Sequence, residues 1–233
     1  PIYANVNGDT AKYILNHSES ELLFVGKLEK SDWDDIKSNI PKKIKKIDFG
    51  YYGLNTEFDR WDNIVSSQKD QPLLPKIDIK DIITIIYTSG TTGIPKGVVL
   101  DSRAAATATK NLNITIPWDE NDRFISYLPL SHIAERALVE HGGILSGGKI
   151  FFVESLDTFV NNLKYCKPTI FFGVPRIYTK FMNKIQSIIP QYIIKSILNI
   201  PFIGFLFSKL VRKTLGLNKS KICITGAASI SVT

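Results

Sequence analysis

The sequence predicts an α/β fold of mostly parallel sheets flanked by helices, and three observations predict it. Short runs rich in Ile, Val, Phe and Thr alternate with segments whose apolar residues recur at helical spacing. That order, strand then helix three times before residue 66, supplies the crossovers that parallel strands require. The chain has 233 residues, 44% of them hydrophobic, enough to bury the core of one domain or one and a half.

The elements follow in order. Residues 1–6 read as a short strand, and residues 9–17 as a helix with Ala11, Ile14 and Leu15 on one face. ELLFVG at 21–26 is a strand, 30–40 a helix carrying Trp33 and Ile36, and 43–49 a strand. Thr56 is placed to cap a helix containing Phe58, Trp61 and Ile64, with Glu57 and Asp59 in its first turn, where negative charge is favoured. SSQKDQPLLPKI at 66–77, with Pro72 and Pro75, is the clearest linker, so the expected division is an α/β subdomain with its linker at 1–77 and a second α/β subdomain at 78–233.

The second part begins with IITIIYTSGTTGIPKGVVL at 82–100: a β-branched run, a small-residue loop and a second apolar run. No charged side chain occurs from Ile82 to Pro95, so Lys96 is the loop's lone cation. Glycines let an anion approach the main chain, and inward N–H groups with hydroxyls and one lysine suit the oxygens of a polyphosphate. The spacing of Gly90, Gly93, Lys96 and Gly97 is G-x-x-G-x-x-K-G, not the G-x-x-x-x-G-K-[ST] that leads into a helix. Val98, Val99 and Leu100 read as a strand, so the loop is expected in a hairpin, which argues against a phosphate-loop kinase or GTPase.

Beyond it, Asp101 or Ser102 caps a helix through Thr109. RFISYL at 123–128 is a strand ending at Pro129, and Ser131 opens a helix through about Leu145 with His132 and Glu135 in its first turn. Ligands of open α/β sheets lie beyond the C-terminal ends of the strands. That makes His132 a better substrate-facing candidate than His17 or His141. Residues 149–154 are a strand, 156–165 a helix and PTIFFGV at 168–174 a buried strand, with Arg176 at a strand-to-helix corner where a structural role is preferred. Residues 188–217 form amphipathic helices around Pro190 and Pro201: Gln191, Lys195 and Asn199 make one wet stripe, and Ser208, Lys209, Arg212 and Lys213 another. KICIT at 221–225 is a strand, followed by the small turn Gly226, Ala227, Ala228.

Charge is unevenly spread. The net formal charge is +7, but residues 1–157 hold 18 Lys and Arg against 22 Asp and Glu, whereas 158–233 hold 11 Lys and Arg and no acid. Such a surface attracts phosphates, nucleic acid or anionic lipid; nucleic acid is not expected, because no recognisable binding module accompanies the charge. The uncharged runs of 188–217 are too short to cross a bilayer and leave two readings open, peripheral membrane contact or packing against the rest of a larger protein. Two lone cysteines, Cys166 and Cys223, make no metal motif and fit a reducing cytoplasm. The chain starts at Pro1 and stops just after a strand and turn, so it is expected to be a piece.

YTSGTTGIPKGV at 87–98 resembles the phosphate-loop signature of the adenylate-forming superfamily, which includes acyl-CoA synthetases, luciferases and peptide-synthetase adenylation domains. LPLSHIAER at 128–136, GVPRIY at 173–178 and TGAAS at 225–229 agree in order, and together they are most similar to the long-chain fatty acyl-CoA synthetase branch. The resemblance spans essentially the whole chain and implies part of the large N-terminal domain of an acyl-adenylate-forming enzyme. It implies an acid–thiol ligase that uses ATP, Mg²⁺ and CoA on a fatty acid. Thr88, Ser89, Gly90, Thr91, Thr92, Gly93 and Lys96 would bind ATP phosphates, with Thr91 near Mg²⁺. Gly226, Ala227 and Ala228 would border adenine, and His132 the acyl pocket. Two departures stand out: Arg136 replaces the aromatic gate of some relatives, and Ser229 the usual Pro. The family's later acidic motif and C-terminal lysine domain lie outside this chain, so the 233 residues alone are expected not to make acyl-adenylate. The other reading is a truncated, non-catalytic membrane or partner-binding relative.

Overall fold

Parallel pairing dominates the strands, as the alternation of elements requires. The computed structural model describes residues 1–51, 57–69, 73–88 and 93–227. Its contacts divide it into two units: Pro1–Ala106 with Pro129–His132, and Thr107–Leu128 with Ile133–Thr233.

In the first unit, β1 (Leu22–Val25) pairs in parallel with β2 (Lys45–Asp48), and β2 with β3 (Asp59–Arg60). Helices α1 (Gly8–His17) and α2 (Lys30–Lys37) join this sheet. Ala11 and Leu15 of α1, Val25 of β1, and Trp33 and Ile36 of α2 share one buried core. Asn7 starts α1, its side-chain oxygen accepting from the Thr10 N–H at 2.9 Å.

Two expectations fail here. Residues 1–6 form no strand. The third helix, α3 (Trp61–Ser66), starts later than expected: Arg60 holds its N-cap position, Phe58 lies before it, and Thr56 is outside the described residues. Competition explains the shift, since Asp59 and Arg60 pair with Ile47 and Asp48 while Phe58 sets its ring edge-to-face on Trp33, 5.8 Å away.

β4 (Ile82–Thr88) and β5 (Lys96–Asp101) form the expected antiparallel hairpin. Helix α4 (Ser102–Thr115) follows, six residues longer than its pattern indicated, and Asp101 caps it by accepting the Ala104 N–H at 2.7 Å.

The second unit contains two parallel pairs, β6 (Arg123–Ser126) with β7 (Lys149–Phe152) and β8 (Ile170–Gly173) with β9 (Ile222–Thr225). β8 lies alongside β6: the Thr169 N–H donates to the Arg123 carbonyl at 3.1 Å, and Thr169 Oγ1 accepts from the Arg123 N–H at 2.9 Å. At this N-terminal edge the buried Asp122 accepts from Thr169 Oγ1 at 2.6 Å and from Lys221 at 3.0 Å, fastening β6, β8 and β9.

The expected helix after Ser131 is π-helical over Glu135–His141 and then α-helical in α5 (Gly142–Ser146). α6 (Phe159–Cys166), α7 (Pro175–Gln186), α8 (Gln191–Leu198) and α9 (Pro201–Leu215) complete the unit. Phe171 and Leu163 are fully buried in its core with Phe159 and Phe181. α9 closes on α6 through Gly216, whose φ is +79° and whose added Cβ would lie 2.6 Å from the Lys164 backbone. Among the described residues, no helix is long and apolar enough to cross a membrane.

Candidate functional site

The hairpin is built so that its buried part ends where the loop begins. Thr84, Ile86 and Tyr87 are buried, and Thr88 is exposed opposite Lys96. The Tyr87 hydroxyl meets Nδ1 of His17 at 2.8 Å, and Tyr13 stacks on the same imidazole, 5.3 Å between ring centres. Burial pushes the Tyr87 phenol up, against a smaller pull from Ser18. His17, set aside in favour of His132, thus anchors β4 at Tyr87, the residue before Thr88.

Of the expected phosphate-binding residues, Thr88, Gly93 and Lys96 are described. Ser89, Gly90, Thr91 and Thr92 lie outside the described residues, and with them the Mg²⁺ role of Thr91. Gly93 has φ +80°, a left-handed conformation that favours glycine, and among the described residues no atom lies within 4 Å of the position its Cβ would take. Lys96 is exposed, and among the described residues no acid forms an ion pair with it. An unneutralised ammonium beside an approachable backbone fits a polyphosphate. Metal ligands are a different matter. Among the described residues, no group of three or more His, Cys, Asp or Glu could hold a metal ion.

His132 is half-buried in the turn Pro129–His132, its N–H donating to the Pro129 carbonyl at 2.8 Å. Within the second unit, parallel pairing brings the C-terminal ends of β6 and β7 together, and likewise those of β8 and β9. Gly226 and Ala227 follow β9 at that edge, and Ala227 has φ +71°, an uncommon conformation for a residue with a Cβ. Ala228 and Ser229 lie outside the described residues.

Tyrosines brace the edge. Tyr127 donates to the Phe172 carbonyl at 3.0 Å and accepts from the Val174 N–H at 3.2 Å; burial pushes its phenol up to about 12. Tyr178 donates to the Ile224 carbonyl at 3.2 Å, two residues before Gly226, and burial pushes it up as well. Sequence reasoning missed both roles, although Tyr178 closes the GVPRIY stretch. Arg176 is exposed, and among the described residues it bonds no strand-end carbonyl, so its expected structural role is not seen.

Glu135 is buried, with one oxygen accepting the Leu128 N–H at 3.2 Å and the other without a partner among the described residues. Burial raises its pKa more than the bonds around Ser126, Leu128 and Tyr127 lower it. Arg136 lies 3.4 Å from Glu140 one turn on.

The model of the family described as AMP-binding enzyme matches residues 1–233. The chain belongs to the AMP-binding enzyme family. Curated relatives of this AMP-binding chain include long chain acyl-CoA synthetase 5 of Arabidopsis thaliana, 31% identical over 205 residues, which cover 80% of this chain and 30% of that protein. Another is the peroxisomal acyl-CoA ligase 891 of Penicillium brevicompactum, 35% identical over 177 residues, covering 66% of this chain and 25% of that one. The chain therefore spans less than a third of the length of these relatives. Among solved structures, the A-PCP didomain of carboxylic acid reductase from Segniliparus rugosus, in complex with AMP, aligns over 100% of this chain and 35% of its own. The TM-score is 0.72 at 20% identity, so the shared property is the α/β adenylation fold.

Proposed function

We propose that this AMP-binding chain is the phosphate- and adenine-binding part of a long-chain fatty acid–CoA ligase. The fatty carboxylate attacks the α-phosphorus of ATP, pyrophosphate leaves, and CoA takes the acyl group from the adenylate. The observation that carries the reading is the hairpin mouth, where exposed Lys96 faces Thr88 across the strands beside a left-handed Gly93. Attack on a polyanion needs charge neutralisation and alignment more than covalent help from the protein. Thr88, Ser89, Gly90, Thr91, Thr92, Gly93 and Lys96 are assigned to the phosphates, Gly226, Ala227 and Ala228 to adenine, and His132 to the acyl side. Mg²⁺ needs oxygen ligands and ordinarily a carboxylate. We assign Thr91 one ligand position and place the carboxylate outside this chain. In this reading 1–77 is an α/β subdomain with its linker and 78–233 the nucleotide-binding subdomain. The acyl-CoA ligases among the relatives support the CoA step and the fatty substrate.

The test is exchange of labelled pyrophosphate into ATP, with acyl-CoA formation, by the full-length protein carrying this chain. Both are expected with long-chain fatty acids. Exchange driven only by other carboxylates would replace the substrate, and protection by GDP rather than AMP would overturn the nucleotide assignment. The 233-residue chain alone is expected to give no exchange.

A further inference from the structure

We propose that the turn between α8 and α9 is a wedge that seats in an anionic lipid surface. The wedge does not rest on the ligase reading, and its residues are not those of the phosphate loop. The two helices pack on each other, and the turn between them is tight. Gly204 is buried in it, donating its N–H to the Ile200 carbonyl at 2.7 Å, and an added Cβ would lie 2.9 Å from the Leu198 carbonyl oxygen.

With that side filled by backbone, the large side chains of 198–206 project outward. Leu198, Ile200, Phe202, Ile203, Phe205 and Leu206 are all exposed, Phe202 by 73% and Phe205 by 63%. The sequence pattern indicates amphipathic helices, each with one wet stripe. The turn instead exposes six large apolar side chains with Asn199 as the one exposed polar side chain among residues 198–206, and the charged residues lie before and after it in the chain. Lys195 precedes it and Lys209, Arg212 and Lys213 follow it, all exposed.

Charge identifies the occupant. An apolar tip alone would suit any hydrophobic partner, but this one is flanked along the chain by four exposed cations in a segment, 158–233, that has no Asp or Glu. An anionic plane with an apolar interior satisfies both features at once: rings and aliphatic chains enter the headgroup boundary while ammonium and guanidinium groups stay at the charged surface. Contiguous apolar patches of this kind mark interaction sites rather than ordinary surface. With 8 and 15 residues, α8 and α9 are too short to span a bilayer, so the mode is interfacial.

The experiment is sedimentation of the full-length protein with vesicles of phosphatidylcholine, alone or mixed with phosphatidylglycerol, without ATP or fatty acid. Binding is expected to the mixed vesicles and to weaken with salt. Phe202→Asp with Phe205→Asp should lower the partition constant by about 100-fold. Lys209→Glu with Lys213→Glu should lower it about tenfold or more on the anionic vesicles only. All four residues are outside the buried cores, so an unchanged thermal midpoint checks folding. A Phe205→Trp variant supplies the second readout: its emission should be that of exposed indole and shift to the blue with mixed vesicles. Failure of the wild type to sediment would overturn the proposal, as would sedimentation that survives both double variants. So would an emission from the Phe205→Trp variant that is already blue without lipid because other protein covers the tip.

Discussion

Nδ1 of His17 and the hydroxyl of Tyr87 lie 2.8 Å apart, joining the last turn of α1 to the last buried residue before the glycine-rich loop. A hydrogen bond of this kind contributes about 0.5–1.5 kcal/mol net, and Tyr87→Phe should cost that much in denaturant unfolding. His17→Ala should cost a similar amount, and the double variant less than the sum. Because Thr88 is next in the chain, nucleotide affinity should fall in both single variants. Unchanged affinity alongside the stability loss would make the contact purely structural.

Lys96 is the cation that the ligase reading needs. Charge-assisted hydrogen bonds contribute about 1.5–3 kcal/mol, so Lys96→Ala should reduce kcat/KM for ATP in the full-length protein by about 10- to 100-fold. Stability should hardly change, since the side chain is exposed. Lys96→Arg should retain part of the activity by keeping the charge. Equal loss in both variants would mean that the point geometry of the ammonium matters, not charge alone.

The hairpin, its strand-like exit and the alternation of parallel elements were legible because composition and spacing speak locally: Val98 and Val99 are β-branched, and Gly and Pro bound the runs. What was not legible depended on partners distant in sequence. Nothing near residue 58 announces that Asp59 and Arg60 will pair with Ile47 and Asp48. The π-helical turn at Glu135–His141 leaves no mark in a pattern read at 3.6 residues per turn. At the site, Lys96 and Gly93 could be named from the loop alone. The roles of Tyr127 and Tyr178 could not, because a phenol's carbonyl partner 45 or 46 residues away is invisible until strands are placed.

Two buried carboxylates should push acid stability in opposite directions. Burial alone would raise Asp122, but the bonds from Thr169, the Asp119 N–H and Lys221 outweigh it and hold its pKa below the ordinary value. A carboxyl depressed in the folded state adds stability above its unfolded pKa of about 4, and that stability is lost as pH falls through the folded value. Glu135 is raised, mainly by burial, so its contribution is present at low pH and lost as pH rises through its folded value. Urea midpoints followed from pH 7 down to pH 3 should show the difference. Asp122→Asn should cost about 1–3 kcal/mol at pH 7 and flatten the acid loss, whereas Glu135→Gln should be neutral or stabilising at pH 7 and steepen it.

Gly93 and Gly216 share a left-handed backbone but not a setting. At Gly93 a methyl group meets no atom of the described residues within 4 Å, so Gly93→Ala should cost the conformational strain, about 1–2 kcal/mol. At Gly216 the same methyl would also strike the α6 backbone at 2.6 Å. Gly216→Ala should therefore destabilise by clearly more, with the added loss arising where α9 meets α6. Equal unfolding midpoints for the two variants would show that α6 yields to the methyl.

Ala227 offers the reverse experiment. Its φ of +71° costs a residue with a Cβ about 1–2 kcal/mol, and glycine would relieve that strain. Glycine also adds freedom to the unfolded chain, which costs about 0.5–1 kcal/mol. The difference favours Ala227→Gly slightly, so thermal unfolding should show no loss and a gain of up to about 1 kcal/mol. Function should move the other way. If the turn after β9 holds adenine by being stiff as well as small, the glycine variant of the full-length protein should show a higher KM for ATP with little change in kcat. A gain in stability with an unchanged KM would leave smallness as the turn's only contribution.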